Sequence, residues 1–391
     1  PFVATCYNAS IKVGIDARMY GPKCGGGWVG RYVEELVQGL QRIDSKHRVV
    51  LFLKPENADA CRLTSPRFEK VIVNAHWYTA KEQFLMPRAI AKAKVDLMHY
   101  PHWNVPIWSS VPFVITIHDL ILLDDPSSAK ATTLGPIRYL AKRVGCHHVL
   151  HHAIEKSKKI AAVSRATKDS ILHHFNHVDP AKIDVIYEGV SPLSNLQSPL
   201  PLSTFQQPIS QPYFLYVGSA YPHKNLESLL HAFSFFVKEY PLVKLVLVGK
   251  NDVFYDKLRN EVKEIGIPEG RVVFTGFVPD DQLAVLYQNA ALYVFPARFE
   301  GFGLPPLEAM LHGAPVAASE RGPLPEVLGA AAIYFNPDDL EQMAEVMEQA
   351  LNNESLRAEL KEKGSQQVKK YSWSSMAEQT MKLYEKVGGK K

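Results

Sequence analysis

Apolar runs of strand length recur along the chain, at 12–15, 49–53, 70–73, 97–100, 113–117, 159–163 and 183–186, and amphipathic helical segments lie between several of them. Short continuous apolar strands joined by helices predict parallel sheets covered on both faces. This first series closes near Gly189. Residues 191–212 then read SPLSNLQSPLPLSTFQQPISQP, rich in Pro, Ser and Gln and without periodicity, which predicts a linker. A second series of strands follows at 213–217, 245–248, 272–275, 291–295, 314–317 and 331–334. The architecture repeats without an obvious sequence repeat. The predicted fold is therefore α/β: two Rossmann-like parallel-sheet domains facing across a cleft, with the carboxyl ends of both strand sets around one ligand. The domains are assigned to 11–195 and 213–371, joined by a linker at 196–212, and a last helix in 372–391 is expected to cross back to the first domain.

Composition changes this picture little. A chain of 391 residues with 46% hydrophobic and 21% charged residues is ordinary globular material for two domains. No stretch approaches the roughly 18 apolar residues of a membrane span, so the protein is read as cytoplasmic. The opening Pro1–Ser10 precedes the first strand and is set aside. Four cysteines (Cys6, Cys24, Cys61, Cys146) lie far apart with no C-x-x-C pair, which indicates neither a disulfide framework nor a thiolate zinc site. Charge is more informative. Residues 1–195 hold 25 Lys+Arg against 17 Asp+Glu, and the remainder 19 against 23, so the first half is basic and the second mildly acidic. A basic face on the first domain is either simply solvated or attracted to an anionic membrane or phosphorylated acceptor. Nucleic acid is not an expected partner.

The most informative segment is 295–310, FPARFEGFGLPPLEAM. A strand ends in a loop carrying Glu300 and two glycines, and a helix is expected to start near Pro306, because proline suits a first helical turn. Gly301 and Gly303 allow close backbone approach to a ligand, and a helix N-terminus offers free amides to phosphate. Glu308 follows Glu300 with seven residues between them.

On this element the sequence closely resembles the retaining glycosyltransferases of GT-B fold, specifically glycosyltransferase family 4, over nearly all of 11–384, which implies that 11–195 binds the acceptor and 213–371 the nucleotide sugar. The resemblance implies that Glu300 contacts the donor sugar and Glu308 the nucleotide ribose, with the amides around Phe302, Gly303 and Leu304 on the diphosphate. In VGSAYPHKN, Gly218 permits a tight turn and Lys224 supplies a positive charge to a leaving diphosphate. Family members pair that lysine with an arginine. Ser219 stands at the arginine position here, and His223, Arg165 or Arg298 are candidates to replace its charge. The strand ending ITIHDL puts His118 where parallel sheets bind ligands, and the resemblance makes it a donor-sugar contact, the alternative being a histidine satisfied by backbone. Gly26 and Gly27 are carried over as a mobile backbone clamp, and Gly276 and Phe277 as the segment whose backbone reads the base. The segments VSRAT and YEGV resemble those lining the same cleft.

These assignments predict a hexosyltransferase working without cofactor or metal, since no D-x-D is present to hold a divalent cation on the phosphates. Retention is expected through same-face attack of the acceptor. The runs GIDARMYG, YEGV and GFGLPPLEAM resemble mannosyltransferase-type members, which favours GDP-mannose as donor and a lipid-linked or polysaccharide acceptor. His147, His148, His151 and His152 form two i,i+4 pairs on one helix, but no accompanying carboxylate completes a metal motif, and with Lys156, Lys158 and Lys159 a basic helix on anionic lipid is the preferred reading. Three other functions remain open. Gly25, Gly27 and Gly30 satisfy G-x-G-x-x-G, as in a nicotinamide dehydrogenase, but the glycines begin nine residues after Asp16 and no acid ends the second strand. A GT-B nucleotide-sugar epimerase shares the architecture. A catalytically silent sugar-nucleotide-binding protein is motivated by the absent arginine.

Overall fold

All thirteen apolar runs form strands. A computed structural model describes residues 10–21, 27–125, 136–193 and 209–388. The first seven strands are β1 (Lys12–Asp16), β2 (Arg48–Leu53), β3 (Phe68–Ile72), β4 (Leu97–Tyr100), β5 (Phe113–Ile117), β6 (Lys159–Ala162) and β7 (Ile183–Val185). The other six are β8 (Tyr213–Val217), β9 (Lys244–Val248), β10 (Val272–Gly276), β11 (Leu292–Phe295), β12 (Val316–Ser319) and β13 (Ala332–Phe335). Two sheets result, ordered β3-β2-β1-β4-β5-β6-β7 and β10-β9-β8-β11-β12-β13, and every pairing is parallel. Central strands are buried along their whole length, as in Phe113–Ile117, because helices cover both faces. The two sheets share one logic: the chain winds outward from β1 or β8, then returns to start the other side with β4 or β11. The strand pairs β1/β4 and β8/β11 are therefore the topological switch points, where the connecting loops part and leave a crevice at the carboxyl ends.

The helices of eight or more residues are α1 (Gly27–Arg42), α2 (Ala80–Ala93), α3 (Pro136–Lys156), α4 (Arg165–His174), α5 (Leu226–Glu239) and α6 (Val253–Glu264), followed by α7 (Asp280–Asn289), α8 (Leu304–Leu311), α9 (Leu340–Asn352), α10 (Glu354–Gln367) and α11 (Trp373–Gly388). Side-chain caps set several starts: Thr79, Ser164, Asp252, Asp339 and Asn353 each accept from an amide of the first turn. The chain divides into two compact units. Described residues 10–118, 136–189 and 373–388 form the first, and 119–125, 190–193 and 209–372 the second. The first unit thus differs from the segment 11–195 expected from sequence: residues 119–125 and 190–193 belong with the second unit.

The last helix belongs to the first unit and packs along α1. Small residues set the approach: a Cβ on Gly39 would lie 2.5 Å from that of Ala377. Below them the buried Tyr384 hydroxyl meets His99 Nδ1 at 2.6 Å, His99 Nε2 meets Thr116 Oγ1 at 2.9 Å, and Thr116 meets the Tyr32 hydroxyl at 3.1 Å. This chain ties α11 through β4 and β5 to α1. Burial pushes the His99 imidazole down to about 3, with neighbouring His118 adding to the effect, so the ring is neutral in the core.

Candidate active site

The second unit brings the predicted donor residues together at its switch point. β8 runs into Gly218 and Ser219, whose carbonyls are pinned by tyrosines: the Tyr255 hydroxyl donates to Gly218 O and the Tyr216 hydroxyl to Ser219 O, each at 2.8 Å. The loop then makes a 3-10 turn at Pro222–Lys224, and Asn225 at φ 61° swings it into α5. Asn225 is buried and its Nδ2 donates to Pro337 O at 2.7 Å, which fixes the turn. From the other side of the crevice, the Arg298 amide donates to His223 O at 2.8 Å. The Lys224 ammonium is hydrogen-bonded to the Glu300 carboxylate and lies 5.6 Å from the Phe295 ring centroid. Both charged side chains are more than four-fifths buried, at 16% and 13% exposure, so the pair is shielded from solvent yet reachable.

Glu300 leads into α8, which starts at Leu304, two residues before the start expected from proline placement. Gly303 explains the difference. It takes φ 98° as the helix cap, a conformation closed to most side chains, and both prolines then fall inside the first turn. Pro305 and Pro306 carry no N–H. The first turn therefore presents its amides at Gly303 and Leu304, the positions assigned to the diphosphate, together with Phe302 in the approach loop. Glu308 lies buried inside α8. Tyr293, on neighbouring β11, donates its hydroxyl to Val217 O at 3.3 Å. Burial raises that phenol well above its ordinary range, and the charges of Glu308 and Glu300 act in the same direction.

Burial drives the His223 imidazole down to about 3, and the adjacent Lys224 charge lowers it further, so at neutral pH this ring brings no positive charge in place of the absent arginine. Arg298 has the charge, but Asp338 takes it: Nε donates to the Asp338 carboxylate at 2.6 Å, and Arg321 approaches the same carboxylate at 2.5 Å. A hydrogen bond from Arg298 holds Asp338 below the usual carboxylate range. Arg165 opens α4 on an exposed position in the first unit. At the end of β10, Gly276 adopts φ 72°, where a Cβ would come 3.1 Å from Asn251 Nδ2, and Phe277 is 80% exposed.

In the first unit, His118 follows β5 and is buried. Its Nδ1 meets Glu188 Oε1 at 2.8 Å and its Nε2 the Pro101 carbonyl at 3.0 Å, so both ring nitrogens are engaged, while Trp28 and Tyr32 pack edgewise against the ring at 4.7 and 4.6 Å. Gly27 starts α1 at φ 53°. Gly26 lies outside the described residues. His147 and His151 pair at 4.7 Å on α3, but among the described residues no group of three His, Cys, Asp or Glu side chains is placed to hold a metal ion. Among the described residues, no helix is long and apolar enough to cross a membrane.

Sequence reasoning gave no role to Glu188, Tyr216, Tyr255 or Tyr293. YEGV reads from sequence as a cleft-lining segment, in which nothing local distinguishes its acid. Tyr216 and Tyr293 read only as apolar positions of strands, and the partners of Tyr255 and Tyr293 lie 37 and 76 residues away.

Comparison with known proteins agrees with this fold. The model of the Glycosyltransferase Family 4 matches residues 25–192, and that of the Glycosyl transferases group 1 matches 204–367. O-antigen chain mannosyltransferase B of Escherichia coli is 30% identical over 368 residues, covering 90% of this chain and 88% of its own. O-antigen chain mannosyltransferase RfbU of Salmonella typhimurium is 29% identical over 263 residues, 67% of each chain. Among solved structures, sucrose-phosphate synthase from Thermosynechococcus elongatus superposes with a TM-score of 0.75 at 21% identity, over 96% of this chain and 99% of that one, a likeness of fold. With both halves matched and a mannosyltransferase relative aligned along nearly its whole length, the chain belongs to glycosyltransferase family 4 and is a transferase of GT-B fold.

Proposed function

We propose that the protein transfers mannose from GDP-mannose, with retention of configuration and without a catalytic metal, to a lipid-linked or polysaccharide acceptor. The observation that carries this reading is the ion pair of Lys224 with Glu300, whose loop runs on into the Gly303 cap of α8. As the sugar–phosphate bond breaks, negative charge builds on the diphosphate and the sugar becomes oxocarbenium-like. A lysine and oriented amides stabilise the first, and a carboxylate suits the hydroxyls of the second. Glu308, deeper in α8, takes the ribose. The departing phosphate oxygen serves as base for an acceptor attacking on the same face. Support for mannose comes from the two mannosyltransferase relatives. Exposed Lys156 and Lys158 at the end of α3 support peripheral contact with an anionic membrane.

The test is a panel of nucleotide sugars incubated in EDTA with a manno-oligosaccharide acceptor. GDP release from GDP-mannose alone, accompanied by an α-linked product by NMR, is the expected result. An inverted product, or activity that appears only on adding a divalent cation, contradicts the mechanism. Turnover of another donor contradicts the substrate assignment.

A further inference from the structure

Four residues, Asn336–Asp339, join β13 to α9, and their chemistry makes the turn stiff. Pro337 restricts its own backbone, the Asn336 side chain accepts from the Asp338 amide at 3.1 Å, and Asp339 caps α9 by accepting from the Gln342 amide at 2.9 Å. The Gln342 side chain in turn accepts from the Asn336 amide at 2.5 Å.

Loops from β8, β11 and β12, the three strands before β13 in the sheet order, are bonded to this turn. From the loop after β8, Asn225 Nδ2 donates to Pro337 O at 2.7 Å. From the loop after β11, Arg298 Nε donates to one Asp338 oxygen at 2.6 Å, and from the loop after β12, Arg321 approaches the other at 2.5 Å. Arg298 also reaches Ser228 Oγ on α5 at 3.4 Å. Two of these anchors adjoin the donor-site pair: Asn225 directly follows Lys224, and Arg298 stands two positions before Glu300. Stability does not account for the bridge. The side chains of Arg298, Asp338 and Arg321 are 36%, 42% and 42% exposed, and ion pairs so open to water stabilise a fold little. What they fix is orientation, because a guanidinium is planar and carries its donors in a rigid fork.

We propose that Asp338 is a positioning residue for glycosyl transfer: together with the Pro337 carbonyl it holds the Lys224 turn and the Glu300 loop at the separation that the leaving diphosphate and the sugar require. The inference rests on the glycosyl-transfer reading above and adds to it a residue that acts through Arg298 instead of on the substrate. A misplacement of about 1 Å at a reacting centre can cost on the order of 10²-fold in rate. A bridge that is weak as a stabiliser therefore matters when it sets that distance.

Asp338→Ala is expected to lower kcat with GDP-mannose about tenfold, while KM stays within about twofold and the thermal midpoint within about 2 °C of wild type. Asp338→Asn, which keeps an acceptor for Arg298, recovers part of the rate. Arg298→Ala and Asp338→Ala remove the same contact, so the double variant loses no more than the worse single one. Nitrogen-15 NMR of the lysine ammonium groups, with Lys224→Arg assigning the signal, reads the pair without turnover: the Lys224 signal shifts or disappears in Asp338→Ala. Unchanged kcat, additive losses in the double variant, or a midpoint that falls far enough to explain the lost rate overturns the proposal. So does a rise in kcat, which means that Asp338 withholds Arg298 from the diphosphate. If the wild type releases nucleotide from no sugar donor, the glycosyl-transfer reading fails, and the ammonium signal decides the positioning role alone: an identical signal in wild type and Asp338→Ala overturns it.

Discussion

The ammonium of Lys224 rests on the carboxylate of Glu300, joining the loop after β8 to the loop after β11. If Lys224 serves the diphosphate, an arriving donor takes it from Glu300 and frees that carboxylate for the sugar. Glu300→Gln then separates binding from turnover: GDP binds at least as tightly, because the lysine is released, while kcat falls about 10²–10³-fold. Lys224→Ala loses both. Isothermal titration with GDP and a nucleotide-release assay read the two effects, and parallel loss in both variants reduces the pair to a structural bridge.

Gly303 is expected to resist any side chain. Its φ of 98° is unfavourable for alanine, and the new Cβ would come 2.8 Å from Leu324 Cδ2. Gly303→Ala should destabilise by about 1–3 kcal/mol and weaken GDP binding, because the cap and the Leu304 amide move together. A chemical-denaturation midpoint equal to wild type contradicts this.

Glu188 is a positioning residue for His118. Glu188→Ala leaves the buried Nδ1 without its partner and should cost about 1–3 kcal/mol of stability, whereas Glu188→Gln retains an acceptor and loses less. If His118 contacts the donor sugar, Glu188→Ala also lowers kcat, and Glu188→Gln restores part of it. Identical kinetics in the two variants would falsify the positioning role.

Acid should unfold the protein through its buried histidines. The folded His99 ring titrates at about 3 and the unfolded ring near 6.5, so between these values the unfolded chain binds the extra proton. Stability is complete above about pH 6.5 and is lost as pH falls towards 3, by about 1.4 kcal/mol per pH unit for each such ring. His102 and His223, which are only half-buried, are lowered to about 3 as well and add a smaller share to the slope. Urea midpoints at pH 7.5, 6 and 5 measure it, and His99→Gln should flatten the profile by one ring's share.

Strands were legible because each is a local run of apolar residues, and the centre of both sheets is buried on two faces. β4, β5 and β8 match their expected limits residue for residue. The loop of Glu300 was legible for a similar reason: Gly303 and the two prolines declare a strand-to-helix turn within a few positions. What no window of sequence contains is the partner of a polar side chain. Arg18 reaches Glu82 and His118 reaches Glu188 across 64 and 70 residues. The neutrality of His223 and the capture of Arg298 by Asp338 depend on burial and on such distant contacts, so sequence alone left both as candidate phosphate ligands.

The seam between α1 and α11 has a temporal side. On a ribosome the chain emerges from its amino end, yet the hydroxyl that His99 requires arrives only with Tyr384, 285 positions later. Residues 190–372 are all synthesised first and can complete their own unit while the earlier one waits, its inner histidine still unmatched. The domain begun first is the one finished last.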